Sequence, residues 1–416
     1  MANAFNVMFW GILTFSLLVV IHEMGHFVAA RFFKIRVHEF MVGLPGPAIR
    51  YHGKQTAYGI TAIPLGGYVK IAGMEPGPED ELLPDALKTA MAAEVISIDT
   101  LANELGIDKD HSLGLLYTLT DWGALKPSEE NAEEYDLAIE PEPEEDADAF
   151  FARVRRGTYR GVSPWKRITV LSMGVIVNLI TAIVVFTIVL STWGYFTQSL
   201  TLDAVLEGKA AAAAGIRAGD TLTTFDGEPV EDWAQLVPAI ESHDPGETVV
   251  VGYERNDQAG KATVILGESE FGTAYLGVQA SIEHVEIGLF AAMVESIKWT
   301  GLVFAAIVAF FNPQTFQQSM EGARGVVGIS IEAAKAVENG PLDYAWLVAL
   351  LSLSLGVMNI LPIPPLDGGK VLLEIIEKFR GKPLDRSITL GVSLAGALLL
   401  FSFIGYVMYA DFVRYF

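Results

Sequence analysis

Val19-Val20-Ile21-His22-Glu23-Met24-Gly25-His26-Phe27-Val28 lies in a segment whose first 22 residues contain no Asp, Glu, Lys or Arg and which stays apolar to Phe33. A helix here puts residues four apart on one face, so His22 and His26 can turn their imidazoles to one metal ion, with Glu23 beside them. The spacing is H-E-x-x-H, in which the two histidines are ligands and the glutamate takes a proton from water. The segment exceeds the roughly 20 apolar residues that cross a bilayer. It lacks the basic start and small-residue cleavage site of a signal peptide, which predicts a retained transmembrane helix. Two imidazoles and a carboxylate at membrane depth are expensive to bury, and groups of that kind mark a working site.

Working outward, three further stretches are free of charge: Ile168 to Trp193, Tyr344 to Leu366 and Ser387 to Ala410. Together with the first they predict four transmembrane helices. Residues 287–311 are apolar but interrupted by Glu295 and Lys298, which fits an amphipathic or re-entrant helix better than a span. Basic residues gather in three places. Arg31, Lys34, Arg36, Arg50, Lys54 and Lys70 follow the first helix, and Arg153, Arg155, Arg156, Arg160, Lys166 and Arg167 precede the second. Lys370, Lys378, Arg380, Lys382 and Arg386 lie between the third and fourth. The positive-inside rule makes these loops cytoplasmic and puts residues 194–343 and both termini on the other side.

The whole composition agrees with a membrane protein: 51% of the 416 residues are hydrophobic and 19% charged, with a mean hydropathy of +0.38. The formal net charge is −22, yet residues 75–150 hold 22 acids against Lys88, Lys109 and Lys126, so the rest is nearly neutral. No basic face of the kind nucleic-acid binding needs stands out. The absence of cysteine excludes disulfides, thiol catalysis and Cys-ligated metal.

These features predict an order of parts. Residues 1–74 hold the first helix and two short strands, Tyr58 to Ile63 and Gly67 to Ile71, joined as a hairpin at Pro64-Leu65-Gly66. Residues 75–150 form an acidic insert that opens Pro/Gly-rich and closes on Glu140-Pro-Glu-Pro-Glu-Glu-Asp. Such composition is expected to be partly disordered, with a small helical unit between Ala86 and Trp122. Residues 151–195 hold the second helix, 196–282 a separate α+β domain, 283–343 a linker region and 344–416 the last two helices.

A catalytic zinc site typically takes three protein ligands, so two imidazoles leave it incomplete. His38, His52 and Glu39 are near candidates for the third ligand, in a loop that reaches water. Asp367 is the far one, the only acid between Tyr344 and Val371, in Asn359-Ile-Leu-Pro-Ile-Pro-Pro-Leu-Asp367-Gly-Gly. Prolines 362, 364 and 365 and the glycine pair break the helix there and free backbone at membrane depth. Asn359, two turns before Asp367, can hydrogen-bond a backbone or a developing oxyanion.

With H-E-x-x-H in the first span and N-x-L-P-I-P-x-L-D-G-G in the third, the chain resembles the site-2 protease family of intramembrane zinc metalloproteases. Gly66-Gly67-Tyr68-Val69, Trp165-Lys166-Arg167-Ile168 and Asn178 add to the likeness. So does Ala214-Gly215-Ile216-Arg217-Ala218-Gly219-Asp220, on which a PDZ-like reading of residues 196–282 rests. The resemblance implies an α-helical polytopic membrane protein with four transmembrane helices, a membrane-associated β-hairpin and one inserted extracytoplasmic PDZ-like domain. It implies Zn2+ held by His22, His26 and Asp367, Glu23 as the catalytic base and Asn359 as a substrate-positioning residue. The hairpin with Gly66, Gly67 and Tyr68 would pair with unwound substrate by strand addition. Implied substrates are single-pass membrane proteins, such as anti-sigma factors after a first cut, and remnant signal peptides. The implied place is the bacterial inner membrane, with the lipid bilayer as surroundings, the active site toward the cytoplasm, and an extended peptide or a size filter at the PDZ-like domain. The family usually has Gly-Pro where this chain has Gly174-Val175 and Gly325-Val326. Two other readings of the same residues are a non-enzymatic PDZ scaffold and an ion or metal transporter. Neither needs Glu23.

Overall fold

A computed structural model describes residues 3–75, 77–93, 95–128, 131, 133–269, 272–310 and 312–415. It divides into two compact units, residues 1–186 with 295–416, and residues 187–294. Helix α1 (Ala4–Phe32) starts where the Asn3 side chain accepts from the Phe5 amide. Its buried residues include Gly11, Thr14, Leu18, His22, Gly25, His26 and Ala29, recurring every three to four positions. Its large apolar side chains Phe5, Phe9, Leu13, Leu17, Met24 and Val28 point outward. Small and polar residues inside and bulky apolar ones outside is the pattern of a helix solvated by lipid.

The chain then forms β1 (Val37–Val42), β2 (Ala48–His52), β3 (Ala57–Thr61) and β4 (Gly67–Ile71). These make a four-stranded sheet of order β2-β3-β1-β4. The expected hairpin is therefore corrected: β3 and β4 both form, but β1 lies between them, parallel to β3 and antiparallel to β4. The linker between them cannot close a tight turn because it is tied to the chain leaving β1, with the Gly43 amide on Gly66 O and the Leu44 amide on Ile63 O. Val37–Val42 carries the polar pair His38-Glu39 and shows no alternation, which hid it as a strand.

Residues 75–150 contain the helices expected between Ala86 and Trp122 and more ordered structure around them than their composition suggests. They form α2 (Leu83–Ala92), β5 (Val95–Ser97), α3 (Ile98–Leu105), α4 (Lys109–Asp121), β6 (Leu125–Pro127), β7 (Glu134–Leu137) and α5 (Ala147–Arg156). These elements enclose a core of their own that includes Leu83, Leu87, Leu115, Leu119, Trp122 and Phe150. Leu83, Ala86, Leu87 and Ala90 follow helical spacing, so a local apolar stripe prevails over the mean charge. Some of the acids even help: Asp108 and Asp146 cap α4 and α5 by accepting from the His111 and Ala149 amides.

Helix α6 (Pro164–Trp193) follows. The second unit contains β8 (Tyr195–Val205), α7 (Ala210–Ala213), β9 (Thr221–Phe225), β10 (Glu228–Pro229), α8 (Trp233–Glu241), β11 (Thr248–Arg255), β12 (Gln258–Ile265), β13 (Gly267–Glu268), β14 (Ala274–Tyr275) and β15 (Val278–Val285). Its antiparallel sheet runs β12-β11-β9-β8-β15, with β10 on β9, and covers a core that includes Leu202, Phe225, Leu236, Val251 and Val264.

The remaining helices are α9 (Leu289–Ala309), α10 (Phe316–Gly322), α11 (Val326–Asn339), α12 (Pro341–Ile360), α13 (Asp367–Arg380) and α14 (Arg386–Tyr415). Among the described residues five helices, α1, α6, α9, α12 and α14, are long and apolar enough to cross a membrane, where the sequence predicts four. The extra one is α9, unbroken over 21 residues. Its two charges fall three apart on one face, where Lys298 Nζ meets Glu295 Oε2 at 2.9 Å.

Candidate metal centre

Helix α12 ends at Ile360 and α13 begins at Asp367, so the Pro-rich stretch forms the break that its composition predicts. The turn folds back tightly: a side chain at Gly368 would strike Ile360 O, and one at Gly369 would strike the Pro364 nitrogen. This places Asp367 at the first turn of α13, buried and facing α1. Its Oδ2 lies 2.9 Å from His22 Nε2 and 3.0 Å from His26 Nε2, and the two Nε2 atoms are 3.2 Å apart. Three residues separated by 345 positions thus converge in one buried cluster.

Helix α6 completes the cluster from the other side. Gly25 on α1 and the backbone of Met173 and Gly174 on α6 are so close that a side chain at Gly25 would strike Met173 O. A side chain at Gly174 would meet His26 Nε2 at 2.5 Å and His22 Cε1 at 2.8 Å, so only glycine fits at 174. His26 Nδ1 donates to Val170 O at 2.8 Å, which leaves its Nε2 as an acceptor. His22 Nδ1 lies 3.3 Å from the Asn178 amide, whose Oδ1 is buried without a partner. Turning that amide over lets Oδ1 accept from His22 Nδ1–H, which leaves His22 Nε2 as an acceptor.

The two imidazoles then both aim lone pairs at a carboxylate oxygen, an arrangement that a cation between them would stabilise. Edges of 2.9–3.2 Å are close to the ~3.3 Å separation of tetrahedral ligands at zinc bond lengths of ~2.0–2.1 Å. The donor set of two imidazoles and one carboxylate is one that zinc takes in catalytic sites. These residues fit the ion.

The other residues singled out in the sequence have different surroundings. Glu23, half-buried, is in electrostatic range of His26, His22 and Asp367. The near candidates for a third ligand are engaged elsewhere or point to solvent: His38 bonds Asp121 O, Glu39 accepts from Tyr68 Oη at 2.7 Å, and His52 is exposed. The Asn359 side chain donates to Leu355 O one turn back on its own helix, at 3.0 Å. Gly66 and Gly67 lie against Val19 and Val20 of α1, one turn before His22, with Gly66 at φ +87°. Val170 and Gly174 were not picked out as part of the site. The Gly25 and Gly174 pair was the available signal, since small residues mark where two membrane helices touch.

A helical membrane protein whose buried cluster takes two histidines from a helix of membrane-crossing length and an aspartate from the start of a short helix that follows another has the make-up of an intramembrane zinc metalloprotease. The profile of Peptidase family M50 matches residues 10–403, and the chain belongs to that family. It is 28% identical to the "Zinc metalloprotease RasP" of Geobacillus kaustophilus over 430 residues, 97% of each chain. The RasP of Shouchella clausii is 30% identical, covering 91% of this chain and 92% of that one. A solved PDZ domain of the SdrC-like protein from Listeria monocytogenes covers 20% of this chain and 87% of its own at 25% identity, with a TM-score of 0.19. The protein is a zinc metalloprotease of a bacterial membrane, which sets aside the scaffold and transporter readings.

Proposed function

We propose that His22, His26 and Asp367 hold the zinc ion and that Glu23 is the base of an endopeptidase that cuts transmembrane segments. The observation that carries this is the convergence of the three ligand atoms within 3.2 Å. Zinc, when bound, supplies the Lewis acidity that makes water nucleophilic near neutral pH and polarises a peptide carbonyl. Glu23 takes the proton of the attacking water at its carboxylate and returns it to the leaving amine nitrogen. Val170 O and the Asn178 amide fix the two imidazole rings. A helical substrate hides its carbonyls, so a stretch must unwind, and the N-terminal end of β4 beside α1 offers unpaired backbone for it. The substrates are single-pass proteins, anti-sigma factors after a first cut, or remnant signal peptides, and the product is a cytoplasmic fragment.

Side-to-side contacts support four spans. Arg160 and Arg167, at the start of α6, pair with Glu377 and Glu374 of α13 at 2.6 and 3.1 Å, so these segments share one face of the membrane. Between them α6 leaves that face and α12 returns. A full crossing by α9 would require another within 310–340, where α10 and α11 have seven and 14 residues against the ~20 needed. Helix α9 is then a re-entrant element, its Val303 and Ile307 packed on the cluster of Phe186 and Ala349. With the basic loops cytoplasmic, residues 196–282 are extracytoplasmic and either capture an extended chain end or exclude bulky ectodomains.

The test is cleavage of a transmembrane substrate by the purified chain in vesicles. Wild type is expected to cut, while Glu23→Gln and chelator-treated wild type lose activity by at least the ~10²–10⁴-fold contributed by general base catalysis. Unchanged cleavage in either case removes the proposal.

A further inference from the structure

Strand β4 is the edge of its sheet: β1 takes one side, and the other faces a cavity of about 740 Å³ bordered by Val69, Lys70 and Ile71. Across the cavity stand Tyr117 and Thr120 on helix α4 of the acidic insert. Leu373 on α13 and Leu390 on α14 supply its apolar floor. The insert wall is fastened to the sheet, since Asp121 at the end of α4 accepts the Gly73 amide at 2.7 Å and its carbonyl takes the His38 imidazole. Tyr117 is 66% exposed, a large aromatic that contributes little to the insert core.

The cavity connects to the candidate metal centre through α13, which starts at Asp367, enters the cavity at Lys370 and lines its far part, where the apolar floor lies, from Leu373 to Glu377. At ~1.5 Å per helical residue, that distance is about 9–15 Å. An extended chain covers it in roughly three to five residues at ~3.3 Å each.

We propose that this cavity is a subsite for the substrate residues three to five positions to the cytoplasmic side of the cut bond, and that α4 of the insert selects among them. The occupant is an extended segment added to the free edge of β4. It seats an apolar side chain of about leucine size on Leu373 and Leu390, with Tyr117 closing over it. The strand edge supplies affinity without regard to sequence, and the pocket formed with α4 supplies the choice. This subsite rests on the protease reading above.

Because the chain has no cysteine, one introduced thiol is a clean probe. The cut site in a transmembrane substrate is first mapped by mass spectrometry with the wild-type chain. The full chain carrying Thr120→Cys and, to keep substrate intact, Glu23→Gln is then oxidised in vesicles with substrates bearing one cysteine at successive positions beyond that site. Disulfide yield is expected to peak within positions three to five and to fall at least fivefold outside them. Even yield, or a peak elsewhere, overturns the subsite. In a second arm, Tyr117→Ala, a surface change, is expected to raise kcat/KM for tryptophan relative to leucine at the peak position by at least fivefold, with zinc content unchanged. Identical preferences in wild type and variant also overturn it. A wild-type chain that cuts no transmembrane segment overturns the protease reading instead, so the two failures are distinguishable.

Discussion

The candidate metal centre and the acidic insert are opposite kinds of structure made by one chain. In the first, a few polar groups stand in apolar surroundings: His22, His26 and Asp367 are each less than 10% exposed among helices of membrane-crossing length. In the second, a few apolar groups stand in acidic surroundings: Trp122 and Phe150 are almost wholly buried in a segment with a net charge near −19. In each case the minority residues define what the region does. Buried polar groups in lipid are costly and so signal function, whereas scattered apolar groups in water need only a repeating stripe to make a core.

If the two regions are independent, each can be broken alone. Asp367→Ala should abolish cleavage and lower zinc affinity by more than the ~100-fold expected for losing an outer-shell partner, while the insert stays folded. Equilibrium competition with a zinc-binding dye and limited proteolysis of the insert read the two effects separately. Conversely, Trp122→Ala should destabilise the insert by about 3–5 kcal/mol, seen as faster proteolysis within residues 83–154, with zinc affinity little changed. A loss of zinc in Trp122→Ala would show that the two regions are coupled.

A smaller effect sharpens the comparison inside the membrane unit. Asn178→Leu removes the amide beside His22 Nδ1 and should lower zinc affinity by about 10–100-fold, with Asn178→Gln recovering part of it. A variant that loses stability but binds zinc as tightly as wild type would make Asn178 a packing residue only.

What was legible follows the same division. Charge-free runs and H-E-x-x-H can be read directly because in lipid the backbone must satisfy itself and every polar side chain is an exception. Asp367 was visible for the same reason, as the only acid between Tyr344 and Val371. The order of the four strands was not, since pairing of β1 with both β3 and β4 depends on a loop bonded to Gly43 and Leu44, a non-local contact with no periodic trace. Helices in the insert are legible, but the extent of its core is not, because mean charge averages over a helical stripe such as Leu83-Ala86-Leu87-Ala90 and composition carries no spacing. Asn178 was noted only as part of the family resemblance. Its place beside His22 requires knowing that Gly25 and Gly174 bring α1 and α6 into backbone contact.

The second unit offers a third and milder contrast, a carboxylate buried in a β-rich fold. Asp220 is fully buried and accepts from Arg255 Nε at 2.6 Å and Nη2 at 2.7 Å, as well as from the Arg217 amide. The hydrogen bonds from Arg255 hold its carboxyl below the usual aspartate range, with burial opposing them and the Arg217 amide adding to them. A group with a depressed folded pKa stabilises the fold above its unfolded value, about 3.9 for aspartate, and loses that contribution as pH falls toward the folded value. The Arg255 side chain is 29% exposed, so solvent screens part of this contribution. Hydrogen-exchange protection of the β9 and β11 amides of the full chain, taken relative to the intrinsic exchange rate at each pH, should therefore fall below about pH 4 in wild type. In Asp220→Asn this protection should start lower at neutral pH and change less on acidification. Equal pH slopes in the two chains would mean that this unit, unlike the membrane one, does not depend on its buried carboxylate.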